Sequence, residues 1–118
     1  MSLRTEYTFT LPKGFVDDSG TLHRTGTMRL ANARDEIEPL RDPRVKENDS
    51  YATVIVLSRV VTELGTVQRV TPKTIESLFV SDFGYLQDLY RIVNFQDATV
   101  LDTLEPGVPF PRELAEVG

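Results

Sequence analysis

Four groups of side chains in this sequence have residue types that could do chemistry. His23 is the single histidine and therefore the only candidate imidazole base. No cysteine or second histidine accompanies it as a ligand set, and its place on the second predicted strand puts it on the solvent face as an ordinary exposed histidine. The pairs Asp17-Asp18 and Asp35-Glu36 have the carboxylates for general acid–base work or for a divalent cation. Neither has the spaced oxygen donors of a calcium loop. Asp17-Asp18 runs into Ser19-Gly20 and reads as turn chemistry, whereas Asp35-Glu36 reads as the start of a helix. Arg41-Asp42-Pro43-Arg44 sets two guanidinium groups beside one carboxylate on a proline-stiffened stretch. Arg41 and Arg44 could clamp a partner's carboxylate bidentately, or they could satisfy loop carbonyls and helix ends within the domain. Gly14, Gly20 and Gly26 form no phosphate-cradling pattern with a following lysine.

The composition narrows the function classes further. The chain has 118 residues, the size of one small domain, with 40% apolar and 26% charged residues. Thirteen basic against eighteen acidic residues leave a net charge of −5, the wrong sign for gripping nucleic acid or anionic lipid by bulk electrostatics. Zero cysteine excludes disulfides, thiolate nucleophiles and iron–sulfur clusters. The sequence therefore predicts no metal and no cofactor, and excludes most enzyme classes that have short sequence signatures. The longest apolar run, Ala52 to Leu57, is broken by Thr53 and is far short of the roughly 20 residues that a spanning helix needs. Met1 to Pro12 is polar and alternating, without an apolar signal core. The expectation is a cytoplasmic protein without membrane contact.

The elements that must position these groups follow from periodicity. Tyr7, Phe9 and Leu11 alternate with polar residues, and Leu22, Met28 and Leu30 share one face of a second run, which predicts a β-hairpin. Pro12-Lys13-Gly14 and Asp17 to Gly20 are turn residues between the two strands, with Phe15-Val16 at the tip. Gly26 marks a bulge or a close approach. Asn32 can cap a short helix over Ala33 to Ile37, after which Pro39 and Pro43 stop regular structure, leaving Leu40 to Asn48 as a polar connector. Asn48, Asp49 or Ser50 can cap a helix running to Leu64, with Gly65 as its stop. The β-branched residues Val54, Ile55, Val56, Val60 and Val61 would also suit a strand, but length, capping and the lack of a breaker favour the helix.

Thr66 to Val70 is read as a short extended link. Thr71-Pro72 then gives a cap with proline in the first turn, and Ser81-Asp82 restarts a helix with Phe83, Leu86, Leu89, Tyr90 and Val93 at helical spacing, ending near Asn94 or Phe95. This helix–break–helix unit is a poor candidate for reading DNA, because its second helix holds Asp82 and Asp88 against Arg91 alone. The final segment, Asp97 to Gly118, has five acids against Arg112, three prolines that favour extended chain, and the apolar residues Val100, Leu101, Leu104, Val108, Phe110 and Leu114. The predicted architecture is α+β: a domain over residues 1–96, in which an N-terminal hairpin packs on three to four short helices, and an extended, proline-containing acidic tail over 97–118.

The closing segment of the domain carries a resemblance. It reads Val70-Thr71-Pro72-Lys73-Thr74-Ile75-Glu76-Ser77-Leu78 and then Ser81-Asp82-Phe83-Gly84-Tyr85-Leu86-Gln87. Together with the preceding order of hairpin, arginine- and acid-rich connector and apolar helix, it resembles the small tail assembly proteins of contractile-tailed bacteriophages, the tail assembly chaperone family. Members similarly carry a Thr-Pro-x-x-Ile-x-x-Leu turn followed by a Leu-x-Asp-aromatic-x-x-Leu-Gln helix. The likeness spans Thr8 to Asn94, and the acidic tail lies outside it. It implies binding without chemistry: a chaperone that keeps a tape-measure protein soluble in the bacterial cytoplasm during assembly of a phage tail or a related injection system. A structural subunit retained in the particle and docked through the tail is the alternative, and a homo-oligomer is left open. Apolar helix surface in an acidic domain suits the first reading. The residues expected to meet a partner are Tyr85, Leu89 and Tyr90 as exposed anchors on the last helix, Arg41 and Arg44 on the connector, and Phe110 in the tail. Replacing Leu89 and Tyr90 by aspartate should then abolish binding without unfolding the domain.

Overall fold

The computed structural model describes residues 3–96 and has the expected α+β architecture. Phe110 and the segment 97–118 lie outside the described residues. Strands β1 (Glu6–Val16), β2 (Leu22–Arg29) and β3 (Val61–Leu64) form an antiparallel sheet in the order β1-β2-β3. Five helices accompany it: α1 (Ala33–Ile37), α2 (Pro43–Glu47), α3 (Tyr51–Val60), α4 (Pro72–Glu76) and α5 (Val80–Phe95), with a 3-10 turn over Glu38–Arg41. Tyr7, Phe9 and Leu11 of β1 and Met28 of β2 are buried together with Leu57, Val60, Val61, Leu64, Ile75, Leu86, Leu89 and Val93. Burial of each such aliphatic side chain favours folding by roughly 1.5–3 kcal/mol.

The hairpin pairs regularly from Glu6↔Arg29 to Thr10↔Thr25, then shifts before Phe15↔His23. The extra residues of β1 form a bulge at Leu11 to Gly14, and two side chains hold it. Asp82, fully buried in the first turn of α5, accepts from the Lys13 amide at 2.8 Å and the Gly14 amide at 3.0 Å. Arg24 donates to the Leu11 carbonyl at 2.9 Å. Gly14 has φ of 109°, in the region that favours glycine. Gly26 is a close approach, since a Cβ there would fall on the Phe9 ring and the Glu63 carbonyl.

Several expectations need correction. The helix after Ser50 stops at Val60, and Val61–Leu64 is the third strand. The open edge of β2 at Gly26–Met28 offers a ladder to this β-branched stretch, so Gly65 ends a strand rather than a helix. The stretch Leu40 to Asn48 is not an irregular connector. Pro39 and Pro43 each sit at the start of a helical turn, where the missing donor costs nothing, and Val45 is buried. Phe15 and Val16 belong to β1 rather than to the turn.

His23 is also misplaced by the sequence pattern. It is buried, on the face opposite Met28, because the turn after β3 closes over it. Its Nδ1 accepts from the Thr66 amide at 3.3 Å, Nε2 lies 2.8 Å from Asp17 Oδ2, and the Phe15 ring stacks on it. Leu22, expected to share the inner face with Met28, is exposed. Of the helix caps read from the sequence, those at Asn32 and Thr71 are present, whereas Ser50, at the start of α3, makes no side-chain cap. Asn32 and Asp35 form a reciprocal capping box on α1, and Thr71 with Thr74 forms one on α4.

Candidate functional site

The inward stripe of α5 consists of Asp82, Tyr85, Leu86, Leu89, Ile92 and Val93. Tyr85 and Leu89 are therefore core residues: Leu89 is 1% exposed, and Tyr85 is buried with its ring 6.5 Å from that of Phe9. This overturns their expected role as exposed anchors. Helical periodicity placed Leu86, Leu89 and Val93 on the stripe, while Phe83 and Tyr90 prove half-buried and Tyr85 and Ile92 take the remaining inward positions; an apolar stripe at i, i+3, i+4, i+7 is the signature of a core face before it is that of a docking face. The aspartate pair at Leu89 and Tyr90 would accordingly break the fold.

The next face of α5, Gln87, Tyr90 and Arg91, is half-buried and meets Ala52, Thr53, Val56 and Leu57 of α3 across a groove of 340 Å³, with Glu36 of α1 at its margin. The recess lies where the first turn of α3 carries the small residues Ala52 and Thr53 opposite the bulky Tyr90. Its volume is on the scale of ligand sites, and the groove has the helix-flanked, largely apolar form that accepts amphipathic segments. Of the three anchors expected on α5, Tyr90 alone reaches it. Val56, Ala52 and Gln87 were missed. The signal that could have found them is the same 3.6-residue spacing on the flank of the core stripe.

The rim is held by charge. Tyr90 donates its hydroxyl to Glu36, and burial, followed by the Glu36 carboxylate, pushes that phenol well above its usual range. Arg91 donates to Asp88 at 2.6 Å one turn back along α5. Glu36 is placed by its neighbour Asp35, whose buried carboxylate accepts from Arg29 at 2.7 and 2.9 Å, from Arg59 at 3.0 Å and from the Asn32 amide at 2.9 Å. The Arg29 guanidinium is the chief reason that Asp35 is held below the usual carboxylate range, against the opposing effect of burial. Arg59 also reaches Glu38 at 2.7 Å. α1 is thereby fixed to β2 and α3 at the groove's edge.

The arginine motif answers its two readings unequally. Arg44 turns inward onto its own motif, donating to both oxygens of Asp42 at 3.0 and 2.9 Å and covering the Tyr51 ring at 4.9 Å. Asp42 caps α2 through the Arg44 amide, and the Arg44 side chain lowers its pKa to about 2. Arg41 is exposed on the 3-10 turn. The structure brings neither arginine into the groove.

Asp17 acts as read, accepting from the Ser19 and Thr21 amides at 2.9 Å each, and His23 is the first cause of its lowered pKa. Among the described residues, no group of three or more histidine, aspartate or glutamate side chains is placed to hold a metal ion, and no helix is long and apolar enough to cross a membrane. Comparison with protein-family models, with curated proteins and with solved structures finds no match to this chain.

Proposed function

We propose that this chain is a non-enzymatic tail assembly chaperone, whose groove between α3 and α5 takes an amphipathic helix of a tape-measure protein and keeps that protein soluble during assembly of a contractile tail or related injection system. The observation that carries the reading is the groove itself: aliphatic side chains of α3 faced by Tyr90, between two helices of a chain whose net charge is −5. An incoming helix would lay its apolar stripe on Ala52 and Val56, while Gln87, Glu36 and Arg91 meet its polar flanks. The resemblance over Thr71 to Gln87 supplies the partner class. The surplus of acid over base disfavours self-association of uncomplexed copies.

Co-expression with a tape-measure protein of a contractile tail tests this. The wild-type chain should hold that protein in solution as a complex. Val56→Asp, at a half-buried groove position, should leave it aggregated while the variant's own circular dichroism is unchanged. Equal solubilisation by Val56→Asp would remove the groove from the account. A fixed, symmetric copy number of this chain in purified particles would replace the chaperone with a structural subunit.

A further inference from the structure

His23 is the one histidine of the chain and is 4% exposed, and the groove makes no use of it. Both ring nitrogens are engaged. Nδ1 accepts from the Thr66 amide at 3.3 Å, and Nε2 lies 2.8 Å from Asp17 Oδ2. A ring nitrogen that accepts carries no hydrogen, so these partners assign the neutral form with its hydrogen on Nε2, donated to Asp17. The Phe15 ring stacks on the imidazole, and the Gly65 backbone packs so closely on Nδ1 that a Cβ there would overlap it. The link from β3 to α4 is otherwise lightly held. Gly65 donates to the Thr25 carbonyl at 2.8 Å and Val67 to the Leu64 carbonyl at 3.0 Å, while Gln68 and Arg69 are exposed.

We propose that His23 is a proton-operated latch on the link over residues 65–70: a proton added at Nδ1 replaces the acceptor of the Thr66 amide by a second donor and releases the link beyond Gly65. The proton comes from solvent, and the bond from Nε2 to Asp17 becomes an ion pair that keeps the ring in place. Imidazole is the side chain whose ordinary titration falls between about pH 5 and 8. Among the described residues, Asp17 is the charged group that faces the ring. Arg24, next along β2, lies on the opposite face and donates to the Leu11 carbonyl. Glu63 of β3 stands opposite Thr27, further along the sheet, and Asp18 and Arg69 are exposed in their turns. The link runs into Thr71, the cap of α4, so the latch acts on the chain connection between sheet and helix. It does not rest on the chaperone reading.

Two readings on the full chain test this. Nitrogen spectra of the ring should show the hydrogen on Nε2 alone at about pH 8 and on both nitrogens at about pH 5. Over the same interval the hydrogen-exchange protection factor of the Thr66 amide should fall by roughly fivefold or more, the worth of one lost hydrogen bond. That of the Gly65 amide should hold. In His23→Asn, whose side-chain carbonyl takes the place of Nδ1 and does not titrate, the Thr66 factor should be the same at both pH values. A hydrogen on Nδ1 at the higher pH, a ring still neutral at the lower, or a Thr66 factor that ignores protonation of the ring overturns the proposal. So does a fall shared by Gly65, which would be the sheet opening, or a fall repeated in His23→Asn, which would belong to another group. Should that variant fail to fold, the two wild-type readings decide the matter by themselves.

Discussion

Two helices of this protein begin with a buried aspartate at the same position, the third residue of the first turn, and the two acids are neutralised by different means. In α1, Asp35 turns back to the amide of its own N-cap, Asn32, and holds the guanidinium groups of Arg29 and Arg59. In α5, the N-cap is Phe79, which provides no side-chain cap, and Asp82 reaches across to two backbone amides of the β1 bulge. The first is a local motif reinforced by mobile cations. The second ties a helix to a strand 68 residues away through groups that cannot move to water. The contrast also separates two parts of the molecule. The bulge fixes where α5 lies on the sheet, and the Asp35 cluster fixes where Glu36 meets the groove.

The largest effect is expected where the partners are rigid. Asp82→Ala leaves the Gly14 amide without its acceptor in a buried setting and frees the Lys13 amide, a loss of about 3 kcal/mol by the cost of orphaned buried donors. For a domain of this size that corresponds to a fall in Tm of roughly 10–20 °C. Urea unfolding of the variant gives the number directly, and a loss below that of Asp35→Ala would invert the comparison.

Asp35→Ala should cost less, about 2 kcal/mol. Arg29 and Arg59, whose side chains are 32% and 31% exposed, can turn to solvent once the carboxylate is gone. Its distinguishing mark is acid dependence. The folded pKa of Asp35 lies below the unfolded value near 4, so the unfolded state binds the proton first as pH falls. The stabilisation is complete above that value and drains away below it. Wild-type stability should drop from about pH 4 downward, and Asp35→Ala should drop less steeply; parallel curves for the two proteins would assign the acid sensitivity elsewhere.

How far the sequence reached follows the same division. Asn32 with Asp35, Thr71-Pro72 with Thr74, and the turn at Asp17 to Gly20 are local signals, and each appears where the residues place it. The alternation of Tyr7, Phe9 and Leu11 fixed the inner face of β1. What escaped was contact between distant segments. The strand at Val61–Leu64 forms because β2 has a free edge, and His23 is buried because the turn after β3 closes on it. Asp82 is legible as an acid in a first turn, but not as the anchor of a bulge. For the site, the spacing in α5 disclosed a stripe without saying that Tyr85 and Leu89 would be consumed by the core. The groove was beyond reach because it depends on Ala52 of one helix standing opposite Tyr90 of another.

The smallest effect should come from Arg44→Ala. Its partners Asp42 and Tyr51 are near the surface, and exposed ion pairs contribute from nothing to about 1 kcal/mol. Thermal unfolding should move by no more than a few degrees, and partner binding should be unaltered. A substantial loss of binding would return the arginine motif to the candidate site.

The central claim, that the face between α3 and α5 receives a partner helix, is tested most directly by titrating an amphipathic tape-measure helix into the full chain and following its methyl and side-chain amide resonances. The account predicts saturable shifts at Ala52, Val56, Leu57 and Gln87, little change at Thr8 and Thr27, and their disappearance in Val56→Asp with the fold retained. Saturable binding whose shifts lie away from these residues, or that persists undiminished in Val56→Asp, would contradict it.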